Sequence, residues 1–216
     1  MGYSVNQTTI NRCRIRIRYA KRDHLRFMGH RDLIRTLERI FRRAEVELAM
    51  SEGFHPRPRM RFCEPLAVGQ AGTDEVMDLE IVSPCNPDEL LNRLNHLSVP
   101  GLEFTQIDPL DASEKKLRAK SFWYEIDLDP EVVNDTEKNV RQFLLRPTYQ
   151  LQKQKSGVEI DIRPLVLDLR VKDQCLMMHL AATQEAGVRP MEILELLGVS
   201  PVPSSGTLLT RTAVQL

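Results

Sequence analysis

Residues 12–19 read Arg-Cys-Arg-Ile-Arg-Ile-Arg-Tyr, the stretch that most restricts the conformation of this chain. Successive side chains of a strand point to opposite faces. A period of two therefore puts Cys13, Ile15, Ile17 and Tyr19 on one side and Arg12, Arg14, Arg16 and Arg18 on the other. A helix would scatter the four arginines around its circumference. The segment is a half-buried strand with a basic outer face, and another element must cover its apolar side.

The next segment supplies that cover. From residue 30 onward Leu33, Ile34, Leu37, Ile40, Phe41 and Ala44 recur at three- and four-residue spacing, the pattern of an amphipathic helix. Arg31, Arg35, Arg39 and Arg42 stack along its other side. Residues 51–58 contain Gly53, Pro56 and Pro58 and cannot continue the helix. Strands are expected at 60–68 and 76–82, joined through 69–74. A helix is expected at 86–97, with Pro87 in its tolerant first turn, and a closing strand at 101–107. The order β-α-β-β-α-β is that of a split βαβ, or ferredoxin-like, unit.

The same order recurs with less contrast in the second half. The pattern predicts a strand at 122–128, a helix at 135–145 and a hairpin of 149–154 with 158–163 around Lys155-Ser156-Gly157. Strands at 165–171 and 175–181, a helix at 189–197 and a strand at 207–214 complete it. The expected fold class is α+β, with two tandem ferredoxin-like domains at residues 10–110 and 121–216. The second carries the added hairpin, and polar residues 111–120 link the two. Units of about 100 residues are large enough to bury a core.

Charge is distributed unevenly along the chain. The net charge of zero hides 15 Lys and Arg against 6 Asp and Glu in residues 1–61, and 15 against 24 in the remainder. One reading is a basic face suited to a polyanion, and the other is internal attraction between the two parts. Hydrophobic residues at 42% and charged residues at 28% argue against wholesale disorder. No apolar run approaches the roughly 18 residues of a membrane span. The first twenty residues show no signal-peptide core, so a cytoplasmic protein is expected. Cys13, Cys63, Cys85 and Cys175 are far apart and make no CxxC pair, so no zinc or iron–sulfur site is expected on this chain.

The candidate functional constellation joins the basic strand, the basic helix and residues 51–61, Ser-Glu-Gly-Phe-His-Pro-Arg-Pro-Arg-Met-Arg. Gly53 and two prolines stiffen this loop. It presents Phe54 and His55 beside Arg57, Arg59 and Arg61, which offers stacking, hydrogen bonding and phosphate contacts together. The nucleic-acid-binding candidates are Arg14, Arg16, Arg18, Arg31, Arg35, Arg42, Phe54, His55, Arg57, Arg59 and Arg61. The alternative for the loop is a purely structural turn in which Arg57 bonds nearby carbonyls. His30, at the start of the first helix, reads as a structural residue or, if it meets His55, as half of an acid–base pair. There is no P-loop, GxGxxG, HExxH or GxSxG motif. The aromatic signature of RNA-recognition-motif sheets is absent too, and Trp123 reads as a packing residue.

The segments Leu25-Arg26-Phe27-Met28-Gly29-His30-Arg31-Asp32-Leu33, Ser51-Glu52-Gly53-Phe54-His55-Pro56-Arg57-Pro58 and Pro65-Leu66-Ala67-Val68-Gly69 resemble the radical-SAM-linked protein family. The likeness continues at Asp161-Ile162-Arg163-Pro164, Val188-Arg189-Pro190 and Arg211-Thr212, and so covers the chain from Arg12 onward. Its motif residues here are His30, Asp32, Ser51, Gly53, Pro56, Pro58, Asp161, Arg163, Arg189 and Arg211. Gly29 stands where the family usually has Ser, and the four-arginine strand is more basic than the family pattern. The resemblance implies a bacterial accessory protein encoded beside or fused to cobalamin-binding radical SAM proteins, with no established activity of its own. It places the iron–sulfur cluster, S-adenosylmethionine and cobalamin on the partner.

These readings lead to the expectation of a non-catalytic subunit that binds or presents tRNA or rRNA to a radical SAM enzyme. Two alternatives stay open. One is a metal-independent RNA-processing enzyme using His30 and His55, and the other is a protein-docking module without RNA.

Overall fold

The computed structural model describes residues 12–111, 113–153, 157–183, 187–200 and 208–216. Strand β1 (Cys13–Lys21) leads through a short 3-10 turn at Asp23–Phe27 into helix α1 (His30–Arg43). Then follow β2 (Met60–Phe62), β3 (Ala71–Ile81), α2 (Pro87–Leu97) and β4 (Leu102–Leu110). The second half runs β5 (Ser121–Asp127), α3 (Val133–Leu145), the hairpin β6 (Gln150–Gln152) with β7 (Glu159–Asp161), β8 (Val166–Lys172), β9 (Cys175–Ala181), α4 (Pro190–Leu197) and β10 (Thr210–Gln215). The result is a mixed α+β fold with four helices, and one large mixed sheet passes through both halves.

The sheet is ordered β4-β1-β3-β10-β5-β9-β8, with β2 lying along β3 and the β6–β7 hairpin separate. Its pairs are antiparallel except β10 with β3, which run parallel at Thr210 opposite Ala71 and Arg211 opposite Gly72. The strand β3 is thus shared. Its residues Met77, Asp78 and Leu79 face β2, and its start faces β10.

Two hydrophobic clusters support the sheet. In the first half Ile15, Ile17, Met77 and Leu79 pack with Leu33, Leu37, Ile40 and Phe41 of α1 and Leu90 and Leu94 of α2. Each such side chain contributes about 1.5–3 kcal/mol when fully buried. In the second half Phe122, Tyr124, Ile126, Leu176, Met178 and Leu180 pack with Val140 and Phe143 of α3 and Ile193, Leu194 and Leu197 of α4. Val76 of β3 belongs to this second cluster, so the halves interlock.

Local chemistry sets several element ends. Asn86 caps α2, its side chain accepting from the backbone N–H groups of Asp88 (3.0 Å) and Glu89 (3.3 Å). Asn95 clamps that helix to β4 by pairing with both the N–H and the carbonyl of Phe104, each at 2.8 Å. The strand expected at 60–68 stops at Phe62, because Pro65 cannot donate to a ladder and Gly69 turns the chain at φ 92°. The strand expected at 76–82 instead starts at Ala71. Residues 113–120 of the connecting segment pack against both halves. Leu117 is buried, the Glu114 carbonyl accepts from Arg14 at 2.8 Å, and Lys120 N–H donates to Gln215 at 2.7 Å. Of the expected hairpin turn, Lys155 and Ser156 lie outside the described residues, as does Thr207 at the start of the last expected strand. No helix among the described residues is long and apolar enough to cross a membrane.

Candidate nucleic-acid interface

The strand arginines face other strands' carboxylates. Arg16 meets Asp78 through Nε at 2.8 Å and Nη2 at 3.2 Å, and Arg14 reaches the same carboxylate at 3.4 Å. Arg18 is held by Asp74. The pairing follows from register, since Arg16 lies directly opposite Asp78 on β3. The Asp78 hydrogen bond holds the Arg16 guanidinium above its ordinary pKa despite partial burial. On this face, charge segregation along the sequence is largely cancelled in space.

The helix and loop arginines are arranged differently. Arg31, Arg35 and Arg42 of α1 and Arg57 of the loop line one open groove of about 870 Å³. Ile34, Leu48 and Met50 form apolar parts of its wall, and Pro56 and Pro58 close the loop side. Arg35 pairs with Asp32 at 3.2 Å, but both side chains are well exposed, so the pair adds little. Glu38, Glu45 and Glu47 also line the groove.

The loop is pinned at its base. Ser51 N–H donates to the Arg57 carbonyl at 2.8 Å, and Arg57 N–H donates to Ser51 Oγ at 3.0 Å. Met50 and Pro58 form a further backbone bridge. Gly53 at φ 131° provides a backbone angle that other residues rarely adopt. At the tip Phe54 is 102% exposed, and His55 beside it is exposed too. Arg59 turns back, donating to the Met50 carbonyl at 3.2 Å and pairing with Glu80 at 3.4 Å. A second groove of about 420 Å³ on the sheet side of the loop is lined by Arg14, Arg59 and Arg61 with Lys116. Lys116 comes from the connecting segment, and nothing in its local sequence placed it there.

His30 and His55 lie in different surroundings. The His30 ring sits edge-on to Phe62 at 4.9 Å and lines a small, partly open cavity of about 10 Å³, room for a single water. Burial and the charge of Lys21 hold its pKa below the ordinary value. His55 lines neither that cavity nor the two grooves. Arg163 belongs to the second half, donating to the carbonyls of Val166 (3.3 Å) and Leu144 (3.4 Å) and resting on the Phe143 ring. The structure thus does not assemble His30, His55 and Arg163 into one site. Asp161 is a local cap, accepting from Tyr149 N–H at 2.8 Å and Arg163 N–H at 3.1 Å. Arg189 lines a separate cleft of about 790 Å³ with Tyr149, Lys153 and Glu192.

Sequence reasoning missed a buried charge cluster at the His30 cavity, whose wall includes Lys21 and Glu75. Arg211 of β10 binds Glu75 of β3 through two nitrogens and donates to the Glu64 carbonyl at 2.6 Å, while its guanidinium lies 4.8 Å from the Phe122 ring. Burial opposes the Arg211 charge, and Glu75 more than offsets it, raising the pKa. Lys21 is also buried, donating to the Met28 carbonyl at 2.8 Å, and burial lowers its pKa. The alternation of residues 12–19, carried two residues further, puts Lys21 on the inner face and was the available signal. Among the described residues no cluster of His, Cys, Asp and Glu is arranged to hold a metal ion.

A family model described as "Uncharacterized protein conserved in bacteria (DUF2344)" matches residues 14–190. No curated protein matches the chain. Among solved structures, an unknown protein from Galdieria sulphuraria is 10% identical with a TM-score of 0.31, covering 87% of this chain and 88% of that one. A putative glycine cleavage system transcriptional repressor is 12% identical with a TM-score of 0.27, covering 86% and 88%. At these scores neither likeness bears on fold or function.

Proposed function

The chain belongs to that uncharacterised family conserved in bacteria, and from this premise we propose that it is a non-catalytic RNA-binding subunit acting beside a radical SAM enzyme. The observation that carries the RNA reading is the convergence of Arg31, Arg35, Arg42 and Arg57 on one open groove under a stiff loop. Phosphates bind where guanidinium groups are accessible and not already neutralised. By that criterion the helix and loop arginines form the interface, and Arg14, Arg16 and Arg18 serve mainly to hold β1 to β3.

We further read each half as a ferredoxin-like unit, the two placed in tandem. The support is strand order: β4-β1-β3 with β2 beyond, and β10-β5-β9-β8, repeat one arrangement. Fold alone does not give function. The radical SAM partner, with its iron–sulfur cluster, S-adenosylmethionine and cobalamin, rests on the sequence resemblance. So does the choice of tRNA or rRNA. A role for His30 and His55 as an acid–base pair is disfavoured by their separate surroundings.

Co-purification of the tagged protein from its host, with the bound RNA sequenced and proteins identified, tests this reading. RNA together with a radical SAM protein supports it. A radical SAM protein without RNA leaves a docking module, and neither one refutes both parts.

A further inference from the structure

We infer that the groove takes an unpaired RNA segment in preference to a duplex, with one base reaching beyond the groove to stack on Phe54 at the tip of the loop whose base, at Met50 and Pro56–Pro58, forms part of its wall. The inference rests on the RNA reading of the same groove.

Phe54 points the same way from two sides. Its ring is fully exposed, so it packs no part of this fold, yet its loop is tied down by the paired Ser51 and Arg57 bonds. An unpacked ring on a loop held at its base gains most from a partner with an open π-face. A duplex seals its base faces within the stack and offers a protein phosphates, riboses and groove edges. An unpaired base offers the face itself.

The groove's charge pattern agrees. Carboxylates of Glu38, Glu45 and Glu47 interrupt the arginines, so a rigid, closely charged duplex backbone laid along it would meet repulsion. A single strand can rotate about each nucleotide. It can turn phosphates toward Arg31 and Arg57 and amino groups of cytosine or adenine toward the carboxylates, which accept such hydrogen bonds. The exposed Met50 gives the base edges an apolar surface. The same carboxylates count against an acidic peptide as occupant.

The test is fluorescence anisotropy of the full chain with a single-stranded RNA of about 12 nucleotides containing A and C, the same strand annealed to its complement, and a poly-Glu peptide of matched charge. The single strand is expected to bind at least about tenfold more tightly than the duplex, and Phe54→Ala to lose on the order of tenfold on the single strand only. Phe54→Trp should retain binding, since it keeps a stacking face, and thermal melting verifies that each variant is folded. Equal binding of both RNAs, with Phe54→Ala silent and Arg57→Ala weakening both, overturns the single-strand inference and leaves the groove as an RNA site. No binding of either RNA overturns both, as does tighter binding of the peptide.

Discussion

Glu75 and Arg211 lie 136 positions apart in sequence and form a buried ion pair between β3 and β10, the two strands at which the halves of the sheet meet. Both are nearly inaccessible, at 4% and 2% exposure. The pair is surrounded by further bonds, to the Glu64 carbonyl and the Phe122 ring, so that one side chain ties the last strand to the first half.

Removing one partner leaves the other charged and buried. Arg211→Met is expected to cost about 3–5 kcal/mol of stability, while Glu75→Leu with Arg211→Met recovers most of it. Urea unfolding measures both. A loss below about 1 kcal/mol for the single variant contradicts the pairing as the tie between halves.

Two half-buried histidines set a pH dependence. Burial, then the charge of Lys21, holds the His30 pKa below its unfolded value, and burial does the same for His179. The unfolded chain therefore binds these protons first as pH falls. Stability from both histidines is complete above the ordinary His pKa of about 6.5 and declines as pH drops through it toward the folded values. Unfolding free energies at about pH 7.5 and 5.5 should differ less in His30→Gln than in the unaltered protein. An unchanged difference would sink the assignment for His30.

Groove and sheet arginines should separate cleanly in RNA binding. Arg57→Ala is expected to lose about 1–3 kcal/mol of affinity and to reduce the salt dependence of binding. Arg16→Gln should leave affinity within about twofold, because its guanidinium is already held by Asp78, while lowering stability. The reverse ranking would return the interface to the outer face of β1.

Two thiols should be slow to react. Burial pushes Cys63 up to about 11 and Cys175 likewise to about 11, leaving little thiolate near neutral pH. Iodoacetamide labelling of the native protein, followed by mass spectrometry, should find both alkylated more slowly than in the urea-unfolded chain. Equal rates contradict the burial.

Much of the element order was legible because period is local information. The alternation of Ile15 and Ile17 and the spacing of Leu33, Leu37 and Ile40 needed no tertiary knowledge, and both strand and helix lie where those patterns put them. The site was legible in part. Arg31, Arg35, Arg42 and Arg57 do line one groove, but the fate of Arg14, Arg16 and Arg18 depended on which strand lies beside β1. Asp78 neutralises Arg16 from 62 positions away, and no local pattern reports such a pairing. Glu75 with Arg211, and Lys116 beside Arg61, were hidden for the same reason.

The most direct test of the account is to crosslink the protein to 4-thiouridine-labelled RNA and map the attachment by mass spectrometry. Attachment within residues 51–61 or on α1 is the predicted result. Attachment confined to the outer face of β1 or to the second half, or none at all, would contradict the groove as the RNA-binding surface.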